Sequence, residues 1–149
     1  RIRERIPGVS IATDIIVGFP GETEQQYQDT YDLLSELKLD VAHLARYSPR
    51  EGTVSARKMT DDVPDEEKWR RFRALEDLQE GIATEIHARY LDKTVPVLFE
   101  EKSKKGRWRG RTETNKLVFV ESNDDLRGKV APVKVYWTGP WSMLAKIIE

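Results

Sequence analysis

Beyond Thr94 the sequence becomes a series of short β runs, TVPVLFE, RWRGRT, KLVFVE, GKVAPVKVYW and SMLAKII, separated by Gly, Asn, Asp and Pro. About five short strands in roughly 55 residues are what a small closed barrel of the oligonucleotide-binding type needs. This constrains the chain more than any other feature, because it sets an all-β part apart from everything before it.

The preceding residues read as strand, helix, strand, helix. Along residues 10–17, Ile11, Thr13, Ile15 and Val17 share one face; Ser10, Ala12, Asp14 and Ile16 share the other, and the run ends at Gly18. Both faces must be mostly covered, which suits a parallel sheet with helices on one side and the small, polar face turned toward a lumen or cleft. Gly21 ends a corner, Thr23 followed by Gln26 fits a capping box, and Tyr27, Tyr31, Leu34 and Leu37 recur at helical spacing. Residues 41–47 make a second short strand that closes a strand-helix-strand unit and runs into Ser48-Pro49-Arg50-Glu51-Gly52-Thr53. Residues 54–63 are polar and turn-rich, a predicted loop ending at Pro64. A long helix follows, with Trp69, Phe72, Leu75, Leu78, Ile82, Ile86 and Tyr90 as its apolar stripe and a length suited to connecting two domains. The expected fold class is α/β followed by all-β, with the first part at residues 1–90 and the barrel at residues 91–149.

Composition narrows the function. With 149 residues, 38% hydrophobic and 34% charged, the chain is too apolar for disorder and long enough for one ordinary or two small domains. A net charge of -1 carries no global nucleic-acid signature, so local charge matters more. The chain has no cysteine, which excludes disulfides, thiolate nucleophiles and cysteine-ligated metal or iron-sulfur centres formed by its own residues. No apolar run approaches the roughly 18 residues of a membrane span, and a cytoplasmic setting is expected.

Three stretches carry candidate chemistry. In GFPGE, Gly18 and Gly21 let backbone come close to a ligand and Pro20 stiffens the corner, so a flat heteroaromatic ring could rest against Ile16 and Gly18; a tight strand-to-helix turn accounts for the same residues. Asp14 is a lumen-facing carboxylate, either an acceptor for a ligand or the partner of an arginine on a neighbouring strand. The YSPREGT corner lies outside a strand's C-terminal end, where ligands bind in parallel α/β sheets, with Tyr47, Ser48 and Arg50 as donors; Arg50 and Glu51 standing in water is the alternative. His43 and His87 lack metal-spaced partners and are expected to be structural. The strongest physical signal is KSKKGRWRGRT, where Lys102, Lys104, Lys105, Arg107, Arg109 and Arg111 concentrate charge and Trp108 adds a stacking face. In an extended strand the three arginines point one way, a row able to track phosphates, and Trp108 points the other way, toward a core role. A merely solvated basic hairpin remains the alternative.

In order, DIIVGFPGETE, YSPREGT, a long helix carrying Gln79, GRTETNKLVFVE and GPWSMLAKI resemble the C-terminal part of the tRNA methylthiotransferases of the radical S-adenosylmethionine superfamily. Each motif is modest alone; together, at proper spacing across essentially the whole chain, they are specific. The resemblance implies that residues 1–90 are the end of an incomplete (β/α) barrel with its connecting helix, and residues 91–149 a TRAM domain, a small OB-like RNA-binding barrel. It implies that Ile16 and Gly18 lie against the adenine of S-adenosylmethionine, with Asp14, Tyr47 and Ser48 also on the cofactor side and Arg50 on the substrate side. It further implies that Lys102, Lys104, Lys105, Arg107, Arg109, Arg111, Asn115 and Lys116 serve tRNA.

GRTETNKLV is closest to the branch that converts N6-isopentenyladenosine at position 37 of tRNA to its 2-methylthio form. The implied chemistry is cleavage of S-adenosylmethionine to a radical, hydrogen abstraction at C2, sulfur insertion and methyl transfer from a second S-adenosylmethionine. Such enzymes use two [4Fe-4S] clusters, one held by a Cys-x-x-x-Cys-x-x-Cys loop. That loop and the family's N-terminal domain are missing from this sequence, so the chain is expected to be an inactive fragment that binds no cofactor alone. The alternatives are a non-catalytic RNA-binding module, or a branch acting on threonylcarbamoyladenosine in tRNA or on a ribosomal protein.

Overall fold

The computed structural model describes residues 1–148. They form two compact units: Ile11–Ile82, and a second made of Arg1–Ser10 with the chain from Ala83 onward. The division between these units falls inside a helix, and the first ten residues group with the later part. In that later unit the chain opens with one helical turn, α1 (Ile2–Arg5).

The unit Ile11–Ile82 holds β1 (Ala12–Val17), α2 (Glu24–Leu37), β2 (Val41–Arg46), α3 (Val54–Lys58) and most of α4 (Asp65–Ala88). The two strands pair in parallel from Ala12 opposite Val41 to Val17 opposite Arg46, and this sheet has two strands. α2 starts where expected. Thr23 Oγ1 accepts the Gln26 N–H at 3.3 Å and Gln26 Oε1 accepts the Thr23 N–H at 2.9 Å, a reciprocal cap that satisfies two otherwise unpaired donors. Val17, Tyr27, Leu34 and Leu75 form the core, with Ile15, Tyr31, Leu44 and Phe72 packed against it. Leu37, expected on the apolar stripe, is exposed. The predicted loop 54–63 contains α3, because Thr53 Oγ1 accepts the Ala56 N–H at 3.2 Å and so nucleates a turn. On α4, Leu75, Ile82 and Ile86 are buried as expected, whereas Trp69 is half-exposed, with the Arg46 guanidinium 3.6 Å above its ring.

In the other unit β3 (Thr94–Lys102), β4 (Trp108–Thr112), β5 (Leu117–Val120), β6 (Val130–Thr138) and β7 (Met143–Ile147) close into a barrel in the order β3-β4-β5-β7-β6. β5 and β7 run parallel and the remaining neighbours antiparallel. Closure removes the sheet edges, and alternate residues fill the interior: Val97, Phe99, Trp108, Val118, Val120, Val133, Val135 and Met143. Each such side chain contributes roughly 1.5–3 kcal/mol of transfer free energy. Gly110 sits opposite Phe99 beside an irregularity in β3, and a Cβ there would lie 2.6 Å from the Leu98 carbonyl oxygen, so only glycine lets the two strands close up. His87 is buried in the last turn of α4, with Nδ1 2.6 Å from the Gly139 carbonyl oxygen, which gives it the structural role expected.

Candidate functional site

The GFPGE corner is held by carboxylates. Gly18 turns at φ 69, and its N–H donates to Glu22 Oε2 at 2.6 Å. That carboxylate also accepts from Arg71 Nη1 at 2.7 Å, and Arg71 donates again to the Glu22 carbonyl at 3.1 Å and to Glu67 at 2.8 Å. Gly21 N–H donates to Asp62 at 2.7 Å, and the Lys68 ammonium reaches both oxygens of Asp61 at 2.7 Å. A Cβ on Gly18 would lie 2.3 Å from Lys68 Cγ, so the missing side chain serves the approach of Lys68. Burial opposes the charge on Arg71, but hydrogen bonds to Glu22 and Glu67 outweigh it and raise its pKa. Hydrogen bonding to Arg70 and then to Arg71 holds the Glu67 carboxyl down at about 2, against the opposing effect of partial burial. Residue patterns did not single out Glu22, Arg71 or Lys68. The glutamate ending GFPGE, with a basic pair at helical spacing, was the available signal.

The remaining residues expected on the cofactor side divide by exposure. Asp14 and Ile16 are exposed on one face of β1, opposite His43 and Ala45 of β2, leaving an open strip of strand surface. Asp14 forms no ion pair with an arginine among the described residues. Tyr47 is buried, edge-on to Phe19 at 5.1 Å, with the Lys68 ammonium 5.5 Å from its ring. Ser48 and Arg50 are exposed, and the Arg50 carbonyl accepts the Thr53 hydroxyl at 2.8 Å.

The basic ribbon folds as a hairpin, but not as a row of free charge. Trp108 is 5% exposed and belongs to the barrel core, as alternation required. Arg107 pairs with Glu121 at 2.9 Å, Arg109 with Glu101 at 3.0 Å and Glu100 at 3.6 Å, and Arg111 with Glu100 at 3.6 Å. The arginines are thus on one side, as expected, but each already faces a carboxylate. Lys102 contacts the Ser122 carbonyl at 3.4 Å, while Lys104 and Lys105 stand exposed in the turn. Asn115 takes φ 61, and its side-chain and backbone oxygens accept from Arg111 at 3.2 and 3.3 Å. Lys116, expected on the RNA side, is instead buried, and its ammonium contacts Ser10 Oγ at 3.2 Å. The GRTETNK sequence is explained as hairpin chemistry: Thr112 Oγ1 accepts the Lys116 N–H at 3.1 Å and the Asn115 N–H bonds the Thr112 carbonyl at 2.9 Å.

Comparison with known proteins agrees with the barrel. The TRAM domain profile matches residues 88–148. Over its whole length the chain is 45% identical to the tRNA-2-methylthio-N(6)-dimethylallyladenosine synthase of Dehalococcoides mccartyi (strain CBDB1), covering 35% of that protein. Across 96% of its length it is 51% identical to the synthase of that name from Chloroflexus aurantiacus and 48% identical to that of Roseiflexus sp. (strain RS-1), covering 31% and 30% of them. Residues 88–148 thus match a TRAM domain, and the chain as a whole is similar in sequence to the synthases of that name. It spans about a third of the length of the curated relatives it matches. The expectation of an α/β part followed by a small OB-like barrel is met.

Proposed function

We propose that this chain is the C-terminal part of an enzyme that methylthiolates C2 of N6-isopentenyladenosine at position 37 of tRNA, with the barrel binding the tRNA in the cytoplasm. The observation supporting it is similarity along the whole chain to proteins named for that reaction, through both the strand-end corner and the barrel. S-adenosylmethionine fits the exposed Asp14–Ile16 strip on two grounds: an apolar side chain for a flat ring and a carboxylate for ribose or amino donors. Tyr47 would back that wall from within, while Ser48 and Arg50 offer donors at its rim. An iron-sulfur cluster does not fit, since the chain has no cysteine and no group of three metal-ligating side chains exists among the described residues. The radical chemistry therefore belongs to other parts of such an enzyme, and the present residues bind and orient. A non-catalytic RNA-binding module is the second reading, favoured by that same lack of cysteine.

The test is a graft. Replacing the matching segment of the Chloroflexus aurantiacus relative with this chain is expected to yield an enzyme that adds the methylthio group to tRNA, read by nucleoside mass spectrometry. A folded, iron-loaded chimera that leaves the nucleoside unchanged would sink the enzymatic reading; tRNA binding by the chain alone would leave the module.

A further inference from the structure

We infer that the barrel carries a base-stacking platform on β6, β7 and the turn between them, built from Tyr136, Trp137 and Trp141 and flanked by Lys134 and Lys146. The inference rests on the tRNA-binding reading and assigns it a surface other than the basic hairpin. Three observations carry it.

The first is a bulge. β6 pairs Val135 with Ala145, then Trp137 with Leu144, leaving Tyr136 as the extra residue. Alternation alone would turn one of two successive side chains inward. The bulge turns both outward, with Tyr136 46% and Trp137 47% exposed, and bulges of this kind re-aim side chains at functional surfaces. Trp141, in the following turn, is 60% exposed.

The second is that the Trp137 ring is seated before any ligand arrives. The Trp137 ring lies across Gly139, where a Cβ would come within 2.5 Å of it. The turn is closed by the Gly139 N–H bonding the Ser142 carbonyl at 2.9 Å, and buried His87 holds the Gly139 carbonyl. A ring seated in this way loses little further entropy when a base stacks on it.

The third is charge. Lys134 and Lys146 are direct cross-strand partners and both exposed, an arrangement that costs stability in the free barrel. Among the described residues neither forms an ion pair, unlike the hairpin arginines. The Lys146 ammonium lies 5.6 Å from the Tyr136 ring. Tyr136 and Lys146 also line a cleft of about 490 Å³ with Glu121, Ser122 and Asp124, whose carboxylates disfavour a phosphate while accepting amino groups of a base. Aromatic rings beside unpaired cations match unpaired bases with their phosphates; an aliphatic protein surface would leave the lysines without partners.

The occupant is therefore single-stranded or looped RNA. The experiment measures binding of the full chain to a short single-stranded oligoribonucleotide and to a duplex of equal charge, by fluorescence anisotropy across a salt series. Tyr136→Ala and Trp141→Ala are each expected to weaken single-strand binding roughly 5- to 150-fold, the equivalent of one lost stacked base, with the salt slope unchanged. Lys134→Ala and Lys146→Ala are each expected to lower that slope by about 0.7. Trp141→Phe should retain most of the affinity, and thermal melting checks that the variants fold. If the parent binds RNA while folded ring variants bind as tightly as it does, or lose duplex and single strand equally, this inference is overturned and the functional reading stands. If the parent binds neither RNA, the functional reading itself fails; shielding of the three rings by protein in a longer relative, with no effect of RNA on them, would reassign the surface to a protein contact.

Discussion

Trp108 and Glu22 show what sequence does and does not tell of a single side chain. Trp108 sits in a basic, glycine-flanked run that reads as a stacking site, yet alternation opposite three arginines already argued for the core, and the barrel places it there. Trp108→Ala should cost about 3–5 kcal/mol of stability. Trp108→Phe should cost less than about 1.5 kcal/mol, partly because the buried indole N–H has no hydrogen-bond partner to lose. Denaturant unfolding of both variants is the check; an unchanged midpoint in the alanine variant with loss of RNA binding would return the ring to the interface. Glu22 is the opposite case, a residue passed over that holds a corner together. Its side chain is 13% exposed and that of Arg71 6%, so Glu22→Ala leaves a nearly buried guanidinium short of its nearest carboxylate and the Gly18 N–H unpaired. Because Arg71 keeps Glu67 at 2.8 Å and Glu24 at 3.2 Å, a loss of about 1–3 kcal/mol in the unfolding of the Ile11–Ile82 unit is expected. The Glu22–Arg71 pairing was not legible, because the two residues lie 49 positions apart and sequence periodicity reports only near neighbours.

At the scale of elements, periodic features were legible and interruptions were not. The capping box, the parallel strand pair and the alternating barrel strands follow from spacing alone. The α3 turn and the β6 bulge do not, since one depends on a single hydroxyl cap and the other on cross-strand register. The first turn of α4 adds an acid-sensitive contact. Glu67, with its pKa lowered to about 2 by Arg70 and Arg71, favours the folded state at any pH above the ordinary glutamate value, and that contribution fades as pH falls from about 4.5 toward 2. Because the side chain is 28% exposed, screening reduces the effect to about 1–2 kcal/mol. Glu67→Gln should flatten the stability profile between pH 4.5 and 2 by that amount; an unchanged acid limb would show that the arginines gain nothing from this carboxylate. Hydrogen exchange offers a second test. A two-stranded sheet has both outer edges unpaired, while the barrel has none, so Ile15 and Leu44 should exchange faster than Val133 and Val135. Slower exchange for the first pair would contradict this.

The proposed RNA binding depends on charge across the whole molecule, and the near-neutral total of -1 forces the question of which cations are available. Composition showed a cluster of lysine and arginine, but the acids that meet it come from β3 and from Glu121, brought close only by the hairpin and the closed barrel. A phosphate approaching Arg107, Arg109 or Arg111 must displace a carboxylate already at 2.9–3.6 Å, so each such contact releases fewer counterions than a free cation would. For three unpaired arginines on a single strand, triple alanine substitution would lower the slope of log affinity against log salt by about 2.1 in magnitude. Here the decrease should be clearly smaller, because the substitution also frees Glu100, Glu101 and Glu121 and adds negative charge that weakens binding at every salt concentration. The triple variant should thus show a larger loss of affinity at low salt than its change in slope accounts for. Replacing Glu100 and Glu121 by Gln in the parent should do the reverse, strengthening binding and steepening the slope. If the triple alanine variant instead loses the full value of about 2.1, with the glutamine variant unchanged, then the arginines meet phosphate directly and the hairpin, not the aromatic face, carries the RNA.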